Sequence, residues 1–337
     1  MNMMRLIALI ILLSSAQVYA QDEGINLSSD RVQLGEPVDR GLPKEGAIDA
    51  QSLQAIGVPV SFISSDTEGF NTYKIGGQYL PLYQHGDQYT GVSYQFNKYT
   101  QNQWSAEANQ FGIISKSINP RTALGYIANI NLNNLNGHSL LTTDSYFGLN
   151  ATSTTRVEFF LNREWVETQN ALNNGIYYTL GGISAEQKLL DGLSGIVTGG
   201  NMYFSDSNTR PFVRANLIYD IYPEYGVNIQ ARYRQYHDTN TNVANNYFNP
   251  SNYNESMLAI GMRRFIEGWM LASTLGFGRQ RVNSDSSTGT QLIEIAATSP
   301  YLGPAFFRTR LGYRKSAGFQ GPDYAYTYFM EELIIPF

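Results

Sequence analysis

The chain has 337 residues, a formal net charge of -5, no cysteine, and 13% aromatic residues led by 24 tyrosines. Lack of cysteine excludes disulfides, thiolate metal sites and a lipidated cysteine anchor. The acidic balance speaks against a nucleic-acid partner, and no stretch after the N-terminus reaches 18 apolar residues, which excludes a helical membrane span.

Residues 1–20 read as a cleavable signal peptide. Arg5 supplies the positive start, Leu6 to Leu13 an apolar stretch too short to span a bilayer, and Val18-Tyr19-Ala20 a small-residue exit, so Gln21 is the expected mature N-terminus. Residues 21–56 carry many charges, Pro37 and Pro43, and no aromatic residue. That composition predicts a solvated periplasmic linker, with one short helical turn near Asp49–Ala55.

From 57 to 337 the pattern changes to short alternating runs separated by turn residues, with no sustained helical period. About 16 strands are predicted: 58–64, 71–82, 89–99, 103–115, 121–132, 137–149, 153–163, 175–187, 191–205, 209–219, 224–236, 254–264, 267–280, 289–299, 304–316 and 324–337. In the run Val227–Arg234, Val227, Ile229, Ala231 and Tyr233 share one face; Asn228, Gln230, Arg232 and Arg234 share the other. A soluble sandwich also alternates, but here the polar faces hold Arg and Gln at near-regular spacing and Tyr and Trp cap the apolar faces. This is the signature of an all-β, transmembrane, antiparallel up-and-down barrel. Short connections (Leu189–Gly192, Tyr222–Gly226, Phe265–Gly268, Ser299–Pro304) alternate with longer polar ones (Glu164–Gly175, His237–Tyr253, Arg281–Gly289, Ala317–Asp323). The parity places both termini in the periplasm.

Strand parity sends Arg156, Arg214, Arg232, Arg234, Arg263, Arg308, Arg310 and Arg314 into the lumen, together with Glu158, Asp220, Glu294 and the aromatic Phe160, Phe212 and Phe306. Two readings stand side by side. The Arg and acid groups pair across the wall and stiffen it, or the Arg line a partly aromatic path for anionic solutes or a sugar polymer. Three histidines, His85, His138 and His237, lie in turns or at strand ends, where surface positions are expected. His138 and its neighbour Ser139 point to opposite faces, so they form no catalytic dyad. Asn283-Ser284-Asp285 offers loop oxygens but no calcium-ligand framework. No enzyme activity, metal or cofactor is expected.

Two motifs add a resemblance. The chain ends Leu333-Ile334-Ile335-Pro336-Phe337, similar to the terminal-Phe strand that the barrel assembly machinery reads in outer-membrane barrels, although Glu331 breaks its alternation. The outer connection contains Asn245-Asn246-Tyr247-Phe248-Asn249-Pro250-Ser251-Asn252-Tyr253, which resembles a stretch in the C-terminal barrels of exopolysaccharide exporters for cellulose and poly-N-acetylglucosamine. The resemblance implies a porin-like outer-membrane channel for exopolysaccharide export, with Tyr247, Phe248 and Pro250 at an outer-loop constriction. It also implies a separate chain as periplasmic scaffold, since no helical repeat precedes the barrel. The alternative is a closed-lumen barrel acting as surface receptor or assembly partner.

This reading expects a mature protein that starts at Gln21 and fractionates with the outer membrane. N-terminal sequencing that begins elsewhere, or recovery in the soluble periplasm, refutes it.

Overall fold

Alternation of apolar and polar side chains does in space what it predicts in sequence: it gives the chain an outer and an inner face. The computed structural model describes residues 53–65, 68–119, 122–301 and 303–337. The expected signal peptide, its Gln21 boundary and the expected linker as far as residue 52 lie outside the described residues. Sixteen strands follow one another: β1 (Leu53–Ser65), β2 (Phe70–His85), β3 (Gln88–Gln101), β4 (Trp104–Ile118), β5 (Gly125–Leu135), β6 (His138–Asn150), β7 (Thr155–Trp165), β8 (Tyr177–Leu190), β9 (Leu193–Phe204), β10 (Thr209–Tyr222), β11 (Val227–Tyr236), β12 (Tyr253–Ile266), β13 (Trp269–Val282), β14 (Thr288–Thr298), β15 (Phe306–Lys315) and β16 (Ala325–Pro336). A five-residue helix, α1 (Gln169–Asn173), lies between β7 and β8.

Each strand pairs antiparallel with its sequence neighbours, and β1 closes on β16 from Ala55↔Pro336 to Ser65↔Tyr326. Closure leaves no sheet edge, so every strand finds backbone partners on both sides, the condition for crossing hydrocarbon. In β11, Ile229 is 45% exposed on the outer face while Gln230 beside it is 6% exposed in the lumen. The outer wall repeats this with Leu132, Leu141, Val197, Leu217, Leu258, Ile260 and Ile295. So continuous an apolar band suits a bilayer and not water. Tyr222, Tyr225 and Trp269 ring its lower margin, as interfacial aromatics do.

The two ends of the barrel differ. At the end that holds both the start of β1 and Phe337, the connections include Glu267-Gly268, both in the left-handed region (φ 50° and 79°), a two-residue hairpin turn that fits the twist of its strands. The opposite end carries three long loops, 166–176, 237–252 and 316–324. The expected alternation of short and long connections holds only in part: after β7, the loop-end connection 283–287 is shorter than the turn-end connection 299–305, and 205–208 is no longer than 223–226. Earlier, the loop end has two-residue turns, Asn102-Gln103 and Asn136-Gly137.

Two expectations are corrected, and a third, at Glu331, holds. The helical turn near Asp49–Ala55 conflicts with Leu53–Ala55, which already belong to β1 and pair with β2 and β16. His85 is not a surface residue: β2 runs on to it, its ring lies 4.7 Å from Tyr301, and its Nδ1 accepts from the Asp87 backbone N–H at 3.2 Å. Glu331 sits in outward register between Val60 and Thr309, which is how it breaks the terminal alternation.

Leu217→Arg puts a charge on the apolar outer wall and should cost roughly 2–4 kcal/mol of folding stability. Asn216, one residue back, faces the lumen in register with Arg232, so Asn216→Asp should be nearly neutral. Equilibrium refolding in lipid that ranks the two variants the other way would mean a facing wrong by one residue.

Candidate functional site: a charged lumen closed by three loops

All eight sequence-chosen arginines take lumenal register, and most meet an acid there. Arg156 lies 3.5 Å from Glu186 and 3.8 Å from Glu158. Arg234 contacts Glu255 at 2.8 Å, and Arg314 reaches the same carboxylate at 3.9 Å. Arg308 bridges Asp87 (2.6 Å) and Glu332 (3.2 Å), and Arg310 stands 4.0 Å from Glu294. Arg232 donates twice to Gln230 Oε1, Arg214 lies over the Phe212 ring, and Arg263 is buried on the lumenal face of β12. Charges taken out of bulk water persist only when paired and hydrogen-bonded. Of the two readings offered by the sequence, these contacts match the wall-stiffening one.

The lumen is crowded at both ends. At the turn end, Asp87 is buried between Lys116 (2.6 Å), Arg308 and the Tyr301 hydroxyl, which donates to it. Tyr89 donates to Glu332 at 2.8 Å, and Phe306 stacks parallel on Tyr301. Phe306 therefore belongs to a packed aromatic cluster with Tyr83, Tyr89 and Ile334.

The loop end is closed by a small hydrophobic core of its own. Val166 and Ala171 from the first loop, Val243 and Tyr247 from the second, and Ala317 and Phe319 from the third pack with Phe160, Phe204, Phe212 and Tyr236 of the wall. Tyr247 stacks on Phe204 at 4.4 Å, and Phe319 meets Phe204 edge-on at 6.1 Å. The predicted constriction residues thus lie in this cap: Tyr247 and Pro250 are buried, and Phe248 is half-buried with its N–H donating to Phe319 O at 2.8 Å. Burial pushes the Tyr247 hydroxyl well above its ordinary range, so it stays a neutral donor to Asp206 (3.0 Å). The loops also bond to one another. Thr168 donates to Asn246 O, Asn170 to Asn245 O (3.0 Å), and Gln320 to Glu167 O.

Two buried ion pairs hold this cap to the wall. Arg210, 1% exposed, chelates Asp238 through Nε (3.1 Å) and Nη2 (2.9 Å), while Nη2 also donates to Phe248 O at 2.7 Å. The guanidinium lies 4.6 Å from the Tyr236 ring, a contact strengthened by desolvation. Across the barrel, Glu167 accepts from Lys74 at 2.6 Å. Thr168 caps α1 by accepting from Ala171 N–H at 3.1 Å, which fixes the loop that carries Glu167.

Phe160, Phe212, Tyr247 and Phe248, singled out in the sequence for a path and a constriction, pack in one cluster. Sequence reasoning missed Arg210, Asp238, Lys74 and Glu167. The available signal was apolar Val166, Ala171 and Leu172 inside an otherwise polar loop. Phe337 ends the chain exposed, its N–H donating to Gln54 O at 2.8 Å.

No protein-family model matches the chain, and no curated protein is detectably similar to it in sequence. Its fold has known counterparts among outer-membrane barrels. A structure described as a bacterial polysaccharide outer membrane secretin superposes with a TM-score of 0.61 at 13% identity, covering 86% of this chain and all of that one. CdiB from Acinetobacter baumannii (TM-score 0.42, 11% identity, 84% of this chain and 60% of that one) and OccK5 from Pseudomonas aeruginosa (0.40, 8%, 85% and 98%) are more distant. The architecture is thus the closed antiparallel barrel of outer-membrane proteins.

Asp238→Ala strands Arg210 in the cap, and breaking a buried pair this way costs about 3–5 kcal/mol. Loop 237–252 should become readily cleaved in limited proteolysis while the barrel keeps its heat-modifiable gel mobility. Cleavage at the wild-type rate would show that the pair does not hold the loop.

Proposed function

We propose that this protein is an outer-membrane conduit for a polysaccharide, drawn in its closed state. The observation that carries the reading is the lumen wall of β2 to β7. It bounds a polar cavity of about 80 Å³ lined by Gln78, Ser93, Gln95, Gln110, Asn131 and Thr142. Amides and hydroxyls both donate and accept, which suits the hydroxyls of a sugar better than a bare ion. The paired arginines of the opposite wall offer little net charge to pull an ion through. The secretin-like superposition supports the same reading at the level of fold.

In this reading the loop end faces outward, both termini face the periplasm, and a separate periplasmic chain delivers the polymer. The three-loop cap is then an outer gate, with Tyr247, Phe248 and Pro250 at its centre. A second reading is favoured by the depth of that cap: a barrel that never opens and presents its loops as a receptor or assembly surface.

Planar-bilayer recording separates the two. The wild type should conduct poorly, and removal of residues 240–248 should open a clearly larger, steady conductance. A deletion variant that folds yet stays as closed as the wild type would favour the receptor reading.

A further inference from the structure

The charges around the lumenal cavity do not balance, and the imbalance is local. Lys74, Asp144, Glu164 and Glu332 line it. Lys74 is committed to Glu167 at 2.6 Å, and Glu332 is committed to Arg308 at 3.2 Å. Neither Asp144 nor Glu164 has an ion-pair partner among the described residues. Asp144 accepts only the Asn162 amide at 3.4 Å; Glu164 accepts Asn133 Nδ2 at 3.3 Å and the Trp165 N–H at 3.0 Å.

A second observation points the same way. Asn162 stands in register with Asp144 across the β6–β7 ladder, and Glu164 follows it two residues along on the same face. The Asn162 side chain is nine-tenths buried, and its Nδ2 is spent on Asp144. That bond fixes the amide, so its Oδ1 is the free end, and this oxygen has no hydrogen-bond partner. A buried acceptor left unsatisfied is costly. Here one stands opposite Asp144 and two residues before Glu164, and the nearby cation Lys74 is bonded to Glu167.

We propose that Asp144, Asn162 and Glu164 form a binding site for a primary ammonium group. An ammonium carries one positive charge and three donors on a compact centre, matching two carboxylates and one carbonyl oxygen. A guanidinium is planar and larger, and a sugar hydroxyl brings no charge. The proposal rests on the reading of the lumen as a solute path, and it names the chemistry of the solute: an amine borne on a sugar, or a free polyamine.

The test is calorimetric titration of the detergent-folded mature protein at low salt, which needs no transport and so stands or falls apart from the conductance experiment. The probes are a glucosamine trimer, its fully N-acetylated counterpart and putrescine. Saturable binding of the trimer or of putrescine is expected, weakened roughly tenfold or more in Asp144→Asn/Glu164→Gln, whose isosteric changes preserve the wall. Asn162→Asp adds a third carboxylate and should tighten binding, which keeps the proposal testable if the double variant misfolds. Tighter binding of the trimer assigns the amine to a glycan; tighter binding of putrescine assigns it to a free polyamine. The site is refuted if neither amine binds, if the double variant binds as tightly as the wild type, or if the N-acetylated trimer matches the glucosamine trimer.

Discussion

Every charge that strand alternation sends inward must be neutralised within a wall that cannot widen, because sixteen paired strands fix its circumference. The rest of the structure follows from that limit. Arg234 of β11 and Arg308, Arg310 and Arg314 of β15 are met by Glu255, Glu294 and Glu332 on strands of the same half. Once these pairs form, the wall is stiff and nearly neutral there. Functional polarity then passes to the other half, where amides and hydroxyls line the cavity. The lumen is therefore two-sided: one wall of compensated charge and one of hydrogen-bonding groups.

The same limit explains the cap. Sixteen strands leave a lumen too wide for wall side chains to fill alone. Three loops supply the missing apolar volume, and they bond to one another and, through Asp238 and Glu167, to Arg210 and Lys74 of the wall. The cap has the anatomy of a small domain core: aromatic rings at its centre, hydrogen-bonded backbone around them, and buried ion pairs that fix its position.

The fold was legible because a period of two needs only neighbouring residues. Ile229 and Gln230 declare their faces whatever lies across the barrel, and so do the eight arginines. Partners were not legible. Lys74 and Glu167 are 93 residues apart, and neither carries a local sign of the other. Helix α1 has five residues, too few for a helical period to appear. His85 looked like a turn residue because Gly86-Asp87 follows it; the burial of Asp87 by Lys116 and Arg308 from distant strands draws the whole turn inward. Glu331 followed the same local rule of period two: its parity with Leu333 and Phe329 put it on the outer face, where the barrel has it.

Loops are ordinarily the parts of a protein freest to drift in sequence. Here that freedom is unevenly distributed. Loops 166–176, 237–252 and 316–324 interlock through backbone carbonyls, buried rings and ion pairs, so a change in one has to be matched in the others. The turns Asn102-Gln103 and Asn136-Gly137 are exposed and stand apart from the packed cap. Evolutionary variation and engineered insertions should therefore concentrate on the short turns of the first half, while the long loops, which look dispensable, change together or not at all.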